Sequence, residues 1–175
     1  LAINGATTID NAIVLTGAAT ISNAASATID GVISGAHNLT KTGSATLTLA
    51  ANNTYSGNTI VSAGGLTLTG GSSIGDGNAV SVASGATLTL GGGSETIGSL
   101  LGAGNVVLGY NLTMGGNNAS TTFSGVISGT GNGITKIGSG TFTLSGSNTY
   151  TGSTTVSAGT LALSGGAAIS DTSAV

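Results

Sequence analysis

Among its 175 residues the chain has no cysteine, proline, tryptophan or arginine, and only seven are charged: Lys41, Lys136, Asp10, Asp30, Asp76, Glu95 and Asp171. Without cysteine there is no disulfide framework and no reading of redox compartment. Without proline, the abundant glycine cannot be collagen. Two lysines and no arginine cannot neutralise a run of phosphates, which excludes a nucleic-acid partner. A net charge of −3 is too small to suggest a polycation. No stretch approaches the roughly 18 uninterrupted apolar residues of a transmembrane helix, so the segment is not expected to insert into a membrane. Leu1 opens into Ala-Ile-Asn-Gly without a basic region, so no signal peptide is read at that end. Aromatics are limited to Phe123, Phe142, Tyr55, Tyr110 and Tyr150.

What is present is glycine, threonine and serine, at 33, 29 and 23 positions. Such a composition invites disorder, but disordered chains combine low hydrophobicity with high charge, and the mean hydropathy here is +0.44. The length suits one domain. Its small side chains predict a thin core held by regular stacking.

The chain repeats itself. Residues 39–80 align without a gap to 134–175, at an offset of 95, with 24 of 42 positions identical. Gly31-Val-Ile-Ser-Gly35 recurs at Gly125–Gly129, offset by 94. Within each unit runs a shorter rhythm of strict apolar/polar alternation, the mark of half-buried strands. Apolar pairs stand at 47/49, 66/68, 88/90, 106/108, 142/144 and 161/163. A looser series of Ile60, Val80/Val82, Ile97, Leu112/Met114, Ile134 and Val156 lies between them. Turn-forming clusters such as Gly91–Gly93 and Gly115-Gly-Asn-Asn118 separate the runs.

Short strands recurring about every 20 residues, with no helical stretch between them, predict an all-β parallel β-helix, or β-solenoid, of about eight or nine coils. The path around each coil supplies the long connection that parallel strands need. Leu47 should then stack on Leu66, and Leu66 on Leu88. At about 4.8 Å per coil the tube is about 40 Å long. A transmembrane β-barrel needs strands of about 9–11 residues and aromatic girdles, which are missing. An antiparallel sandwich does not explain the spacing of equivalent apolar pairs.

The run from Gly125-Val-Ile-Ser-Gly through Ile134-Thr-Lys-Ile-Gly-Ser-Gly-Thr-Phe-Thr-Leu and Asn148-Thr-Tyr-Thr-Gly to Leu161 resembles the autotransporter-associated β-strand repeat, also called the passenger-associated transport repeat. Residues 31–69 resemble a second copy, departing at Ala45 and Gly65. The resemblance implies a right-handed parallel β-helix in a bacterial autotransporter-like adhesin or extracellular fibre. It further implies a location at the outer cell surface, a role as spacer and as an aid to folding and export, and no catalytic residues.

Candidate sites are few. Lys41/Lys136, Asp76/Asp171 and Tyr55/Tyr150 recur because the unit recurs, which favours structure over catalysis. The lysines and aspartates are expected to solvate corners, and each tyrosine to cover a turn. The once-only residues are His37, Asp10, Asp30, Glu95 and Tyr110. A lone histidine with one aspartate seven residues away does not make a metal site. Glycosidase chemistry needs two positioned carboxylates, for which no spacing argues. No catalytic, cofactor-binding or metal-ligating residue is therefore assigned, and no enzyme activity is expected. Gly70–Asn78 has neither the register of a calcium nonapeptide nor the Gly-Lys-Ser/Thr ending of a phosphate loop. Outward threonines at Thr46/Thr48, Thr67/Thr69 and Thr87/Thr89 suggest the Thr-x-Thr files of ice-binding solenoids. Asn105/Val107 and Thr160/Ala162 break them, and β-propensity explains exposed threonine more simply.

The expectation is therefore a single solenoid segment, 1–175, with repeat units at 31–80 and 125–175 and no independent second domain. Val175 aligns with Val80 in mid-unit, so the segment is expected to continue into neighbouring coils of a longer chain or to stack on copies of itself. A host or matrix surface is the further expected partner. A self-assembling filament subunit and a glycan- or ice-binding solenoid module are the alternatives.

Overall fold

A computed structural model of the chain describes residues 1–165 and 169, and every regular element in them is a β-strand of two to five residues. All pairings are parallel, each strand meeting its counterpart one coil away. The chain winds about eight times around three faces. The first face stacks Ala2–Ile3, Ala19–Asn23, Leu39–Thr42, Thr59–Val61, Ala79–Val82, Ser99–Gly102, Thr121–Phe123, Thr141–Leu144 and Thr160–Leu163. The second stacks the segments that follow, from Thr7–Ile9 to Val126–Ser128. The third is a strand pair, Ile13–Leu15 with Ile33–Gly35, and a later sheet running from Glu95–Ile97 to Thr154–Val156.

Alternation explains each strand. Threonine is content on a pleated, half-buried outer surface, and the leucines between point inward. On the second face Leu47, Leu66, Leu88 and Val106 form one inward column, and Leu49, Leu68, Leu90 and Leu108 the next. All eight are 0–1 % exposed. The expected stack of Leu47, Leu66 and Leu88 is thus observed.

Continuity of that series is not. Phe142/Leu144 and Leu161/Leu163 lie on the first face, not the second. The second series divides likewise: Val80 and Val82 belong to the first face, and Leu112, Met114 and Ile134 to the third. Ile60 points outward beside Ser81. The cause is the length of the repeat. Four full coils carry Lys41 down one face through Val61, Val82 and Gly102 to Phe123. Lys136 lies beyond that point, on the third face opposite Met114. The 95-residue unit therefore spans about four and two-thirds coils, and the second copy is turned by one face relative to the first.

Corners close tightly where glycine stacks on glycine. Gly64 has φ +66°, and a Cβ there would meet the Gly43 carbonyl oxygen at 2.5 Å. Gly159, with φ +71°, crowds Gly138 in the same way. Both reasons, the left-handed backbone and the absent side chain, require glycine.

Opposite orientation of adjacent residues makes the columns testable. Leu66→Ala should destabilise the chain by about 2–5 kcal/mol, and Thr67→Ala by less than about 0.5 kcal/mol. Urea unfolding followed by circular dichroism measures both, and equal small effects would contradict the assigned register.

Candidate functional site: a polar interior and an outer groove

The repeat lysines are not at solvated corners. Lys41 stands in an inward column between Ile21 and Val61, Lys136 between Met114 and Val156, and each is 1 % exposed. The apolar stem suits that column, and the ammonium turns into the corner where the strand ends. Lys41 Nζ donates to the carbonyls of Thr42, Gly43 and Ala63 at 2.8, 2.9 and 3.1 Å. Lys136 Nζ donates to those of Ile137, Gly138 and Ala158 at 2.6, 2.8 and 3.2 Å. Every partner is displaced by the repeat offset. Three donors on each ammonium meet three acceptors, and burial pushes both pKa values down. Asp76 does sit exposed in a turn, as expected, and Asp171 lies outside the described residues.

The repeat tyrosines are also interior, at 1 % and 0 % exposure, rather than lids over turns. Tyr55 and Tyr150 share hydroxyl hydrogen bonds with Thr59 and Thr154 at 2.7 and 2.6 Å. Burial raises both phenol pKa values, that of Tyr55 to about 12. Ahead of each tyrosine a buried asparagine ties two coils together. Asn53 Oδ1 accepts from Ile33 N–H, and Asn148 Oδ1 from Ile127 N–H, both at 2.7 Å. Asn53 Nδ2 donates onward to Ser73 O at 2.8 Å. Each Asn-Thr-Tyr segment is needed because an irregular stretch interrupts one face, leaving backbone groups that a side chain must satisfy.

Glu95 extends this interior ladder and occurs once. It is 1 % exposed, and its Oε2 and Oε1 accept from Ser73 N–H and Ile74 N–H at 3.1 and 3.0 Å. Burial lifts its pKa to about 7; the two N–H donors oppose the shift, and nearby Asp76 adds to it. Glu95, one of the once-only carboxylates, is thus engaged by backbone N–H groups inside the tube. Asp10, Asp30 and His37 are exposed, and Tyr110 is 42 % exposed. Among the described residues no three His, Cys, Asp or Glu side chains converge.

The threonine pairs are also out of register. Thr67 aligns with Thr48 and Thr89, while Gly65 stands between Thr46 and Thr87. Thr69 falls past the end of its strand. One file, Thr8, Thr28, Thr48, Thr67 and Thr89, is continuous, and Val107 ends it. The double file that the ice-binding alternative requires does not form.

The outer first face carries a groove of about 490 Å³. Ile60, Ser81 and Leu101 stand in register along its floor, flanked by Ala79 and Ser99. Asn58 lies at one end, and Asn117, Ala119 and Thr121 form the wall at the other. Asn117 is held by two bonds, Nδ2 to Ser99 Oγ at 3.0 Å and Oδ1 from Ala119 N–H at 3.1 Å. Beside it Asn118, at φ +61°, is the non-glycine residue with a left-handed backbone among the described residues. Sequence reasoning did not find this groove. Its signal was Ile60-Val61 and Leu100-Leu101: two adjacent apolar residues of a strand cannot both point inward, so one of each pair lines the outside.

The geometry defines a parallel β-solenoid whose polar interior is built into its repeat. Two segments, residues 39–68 and 134–163, match the passenger-associated-transport-repeat family. It is also 40 % identical over 102 residues to Adhesin BmaC autotransporter of Brucella suis biovar 1 (strain 1330). That alignment covers 58 % of this chain, which spans 3 % of the length of that relative. No solved structure matches significantly. The matched windows contain both lysines and both tyrosines and leave out Glu95 and the groove from Ala79 to Thr121.

Two outcomes follow from the interior. Lys41→Met and Lys136→Met each strand three carbonyls and should destabilise by about 1–3 kcal/mol, to a similar extent because the sites match; denaturant unfolding compares them. For Glu95, the folded carboxyl titrates near 7 against an ordinary 4.5. Between those values the folded chain holds a proton that the unfolded chain has lost. Its contribution is therefore fully favourable below about pH 4.5, falls as pH rises to about 7, and stays level above, a span of about 3 kcal/mol. Unfolding across that range should show the slope in the parent and its loss in Glu95→Gln.

Proposed function

We propose that the chain is a β-helical passenger segment of a bacterial surface-exposed or secreted protein, acting as a rigid spacer and as an aid to folding during export. In this reading residues 1–175 are one solenoid segment, with units at 31–80 and 125–175 and no second domain. The observation that carries it is the rotation of the repeat. The two copies keep the same buried lysine and tyrosine, with the same bonds, although they face different directions around the tube. A module selected for binding would present equivalent surface residues on one side. Here Asn58, Ile60 and Thr67 correspond to Ser153, Thr155 and Ala162, so these outward residues vary while the interior Lys41, Asn53, Tyr55 and Thr59 recur as Lys136, Asn148, Tyr150 and Thr154.

A similar argument supports the export role. Each coil touches mainly its neighbours, so folding can propagate coil by coil as chain emerges. The relative being an autotransporter adhesin agrees with a surface location. The repeats and that relative favour a structural protein over an enzyme.

Whole-cell labelling tests the proposal. An epitope replacing exposed Gly77, in cells that produce the natural full-length protein, should react with antibody without permeabilisation. Lys41→Met together with Lys136→Met should lower surface display while total synthesis is unchanged. Labelling confined to lysed cells would refute the surface role, and undiminished display of the double variant would refute the export role.

A further inference from the structure

Going beyond the spacer role, we propose that the outer first-face groove binds a neutral, hydroxyl-rich oligosaccharide laid along the tube axis. The groove starts in the first repeat, at Asn58 and Ile60, and runs on into the stretch between the two matched copies, where a once-only function is free to arise. Its chemistry is selective. No charged side chain lines it, so neither an anionic nor a cationic ligand finds a counter-charge. Asn58 and Ser81 line it, and neither Asn58 Nδ2 nor Ser81 Oγ makes a hydrogen bond among the described residues, while Ile60 and Leu101 offer apolar surface beside them. Alternation of hydroxyl or amide with aliphatic surface matches a sugar, which alternates hydroxyls with C–H faces.

A peptide fits less well. Backbone groups of the floor strands are already paired with the coils on either side, so an extended chain cannot join as another strand. What remains for a ligand is side chains, repeated at the coil spacing of about 4.8 Å. A linear saccharide along the axis meets polar side chains at Asn58 and Ser81 in adjoining coils, then Leu101, and ends against the wall that Asn117 holds. The wall is preorganised, because both bonds of Asn117 are made within the protein, so little ordering opposes binding.

The test uses the 175-residue chain and saturation-transfer NMR with cellohexaose, maltohexaose and mannohexaose, against a galacturonate hexamer. At least one neutral hexaose should bind, and the acidic hexamer should not. Ser81→Tyr, which fills the floor from an outward position, should weaken binding at least tenfold. Thr67→Tyr, equally outward on the second face, should leave it unchanged, and circular dichroism should show both variants folded. Binding to none of the neutral hexaoses, preference for the acidic one, or binding that survives Ser81→Tyr would overturn the proposal. Surface display of the natural protein is read separately, so failure here leaves the spacer reading standing.

Discussion

Parallel stacking in register sets the terms for everything else in this molecule. Each inward residue rests on its counterpart one coil away, about 4.8 Å distant, so a column must be compatible with itself along its length. Leucine on leucine satisfies this, and like charges do not. That is why only 4 % of residues are charged, and why Lys41 has Ile21 and Val61 for neighbours rather than another lysine. It also explains glycine at the tightest corners, where a side chain on Gly64 would strike the corner below.

The repeat does not match the coil, and the mismatch separates what the repeat preserves from what it leaves free. A 95-residue unit of about four and two-thirds coils returns each residue to a different face. Any feature that needs equivalent residues on one face is therefore lost between copies. A feature depending on the chain's own corner survives, as the bonds of Lys41 and Lys136 do. The groove belongs to the free part. Its floor joins Ile60 of the first copy to Ser81 and Leu101 beyond it.

Much of the architecture was legible from short-range pattern. Thr-Leu-Thr-Leu alternation gave the strands, and the recurrence of about 20 residues gave the coil. The face of each strand was not legible, because the corners at Gly43 and Gly138 look alike in sequence yet lie on different sides of the tube. Two inward series therefore merge in the sequence pattern, whereas the threonine pairs, all on the second face, slip because Gly65 stands where Thr46 and Thr87 stand. Lys41 was misplaced for another reason. Charge argues for solvent, and only the three-dimensional corner shows carbonyls converging on its ammonium. Glu95 likewise offered no clue, since its partners are backbone N–H groups 21 and 22 residues earlier.

These buried polar groups resolve an ambiguity that the apolar columns create. Thr46-Leu-Thr-Leu49 and Thr87-Leu-Thr-Leu90 are the same tetrapeptide, and Gly65-Leu-Thr-Leu68 between them differs at one position. Exchanging such coils would leave leucine on leucine, so hydrophobic burial alone scarcely distinguishes the correct order. The polar side chains do distinguish it, because each reaches into an adjoining coil. Lys41 needs Ala63 O, Asn53 needs Ile33 N–H, and Glu95 needs Ser73 and Ile74 N–H. In a wrong register these groups would be buried without partners, which costs about 1–3 kcal/mol each and more when charged. Buried polar groups do not specify structure in every protein. Here the near-identity of successive coils gives them that task, and it accounts for lysine, asparagine and tyrosine being what the two copies share inside a tube that leucine alone could fill.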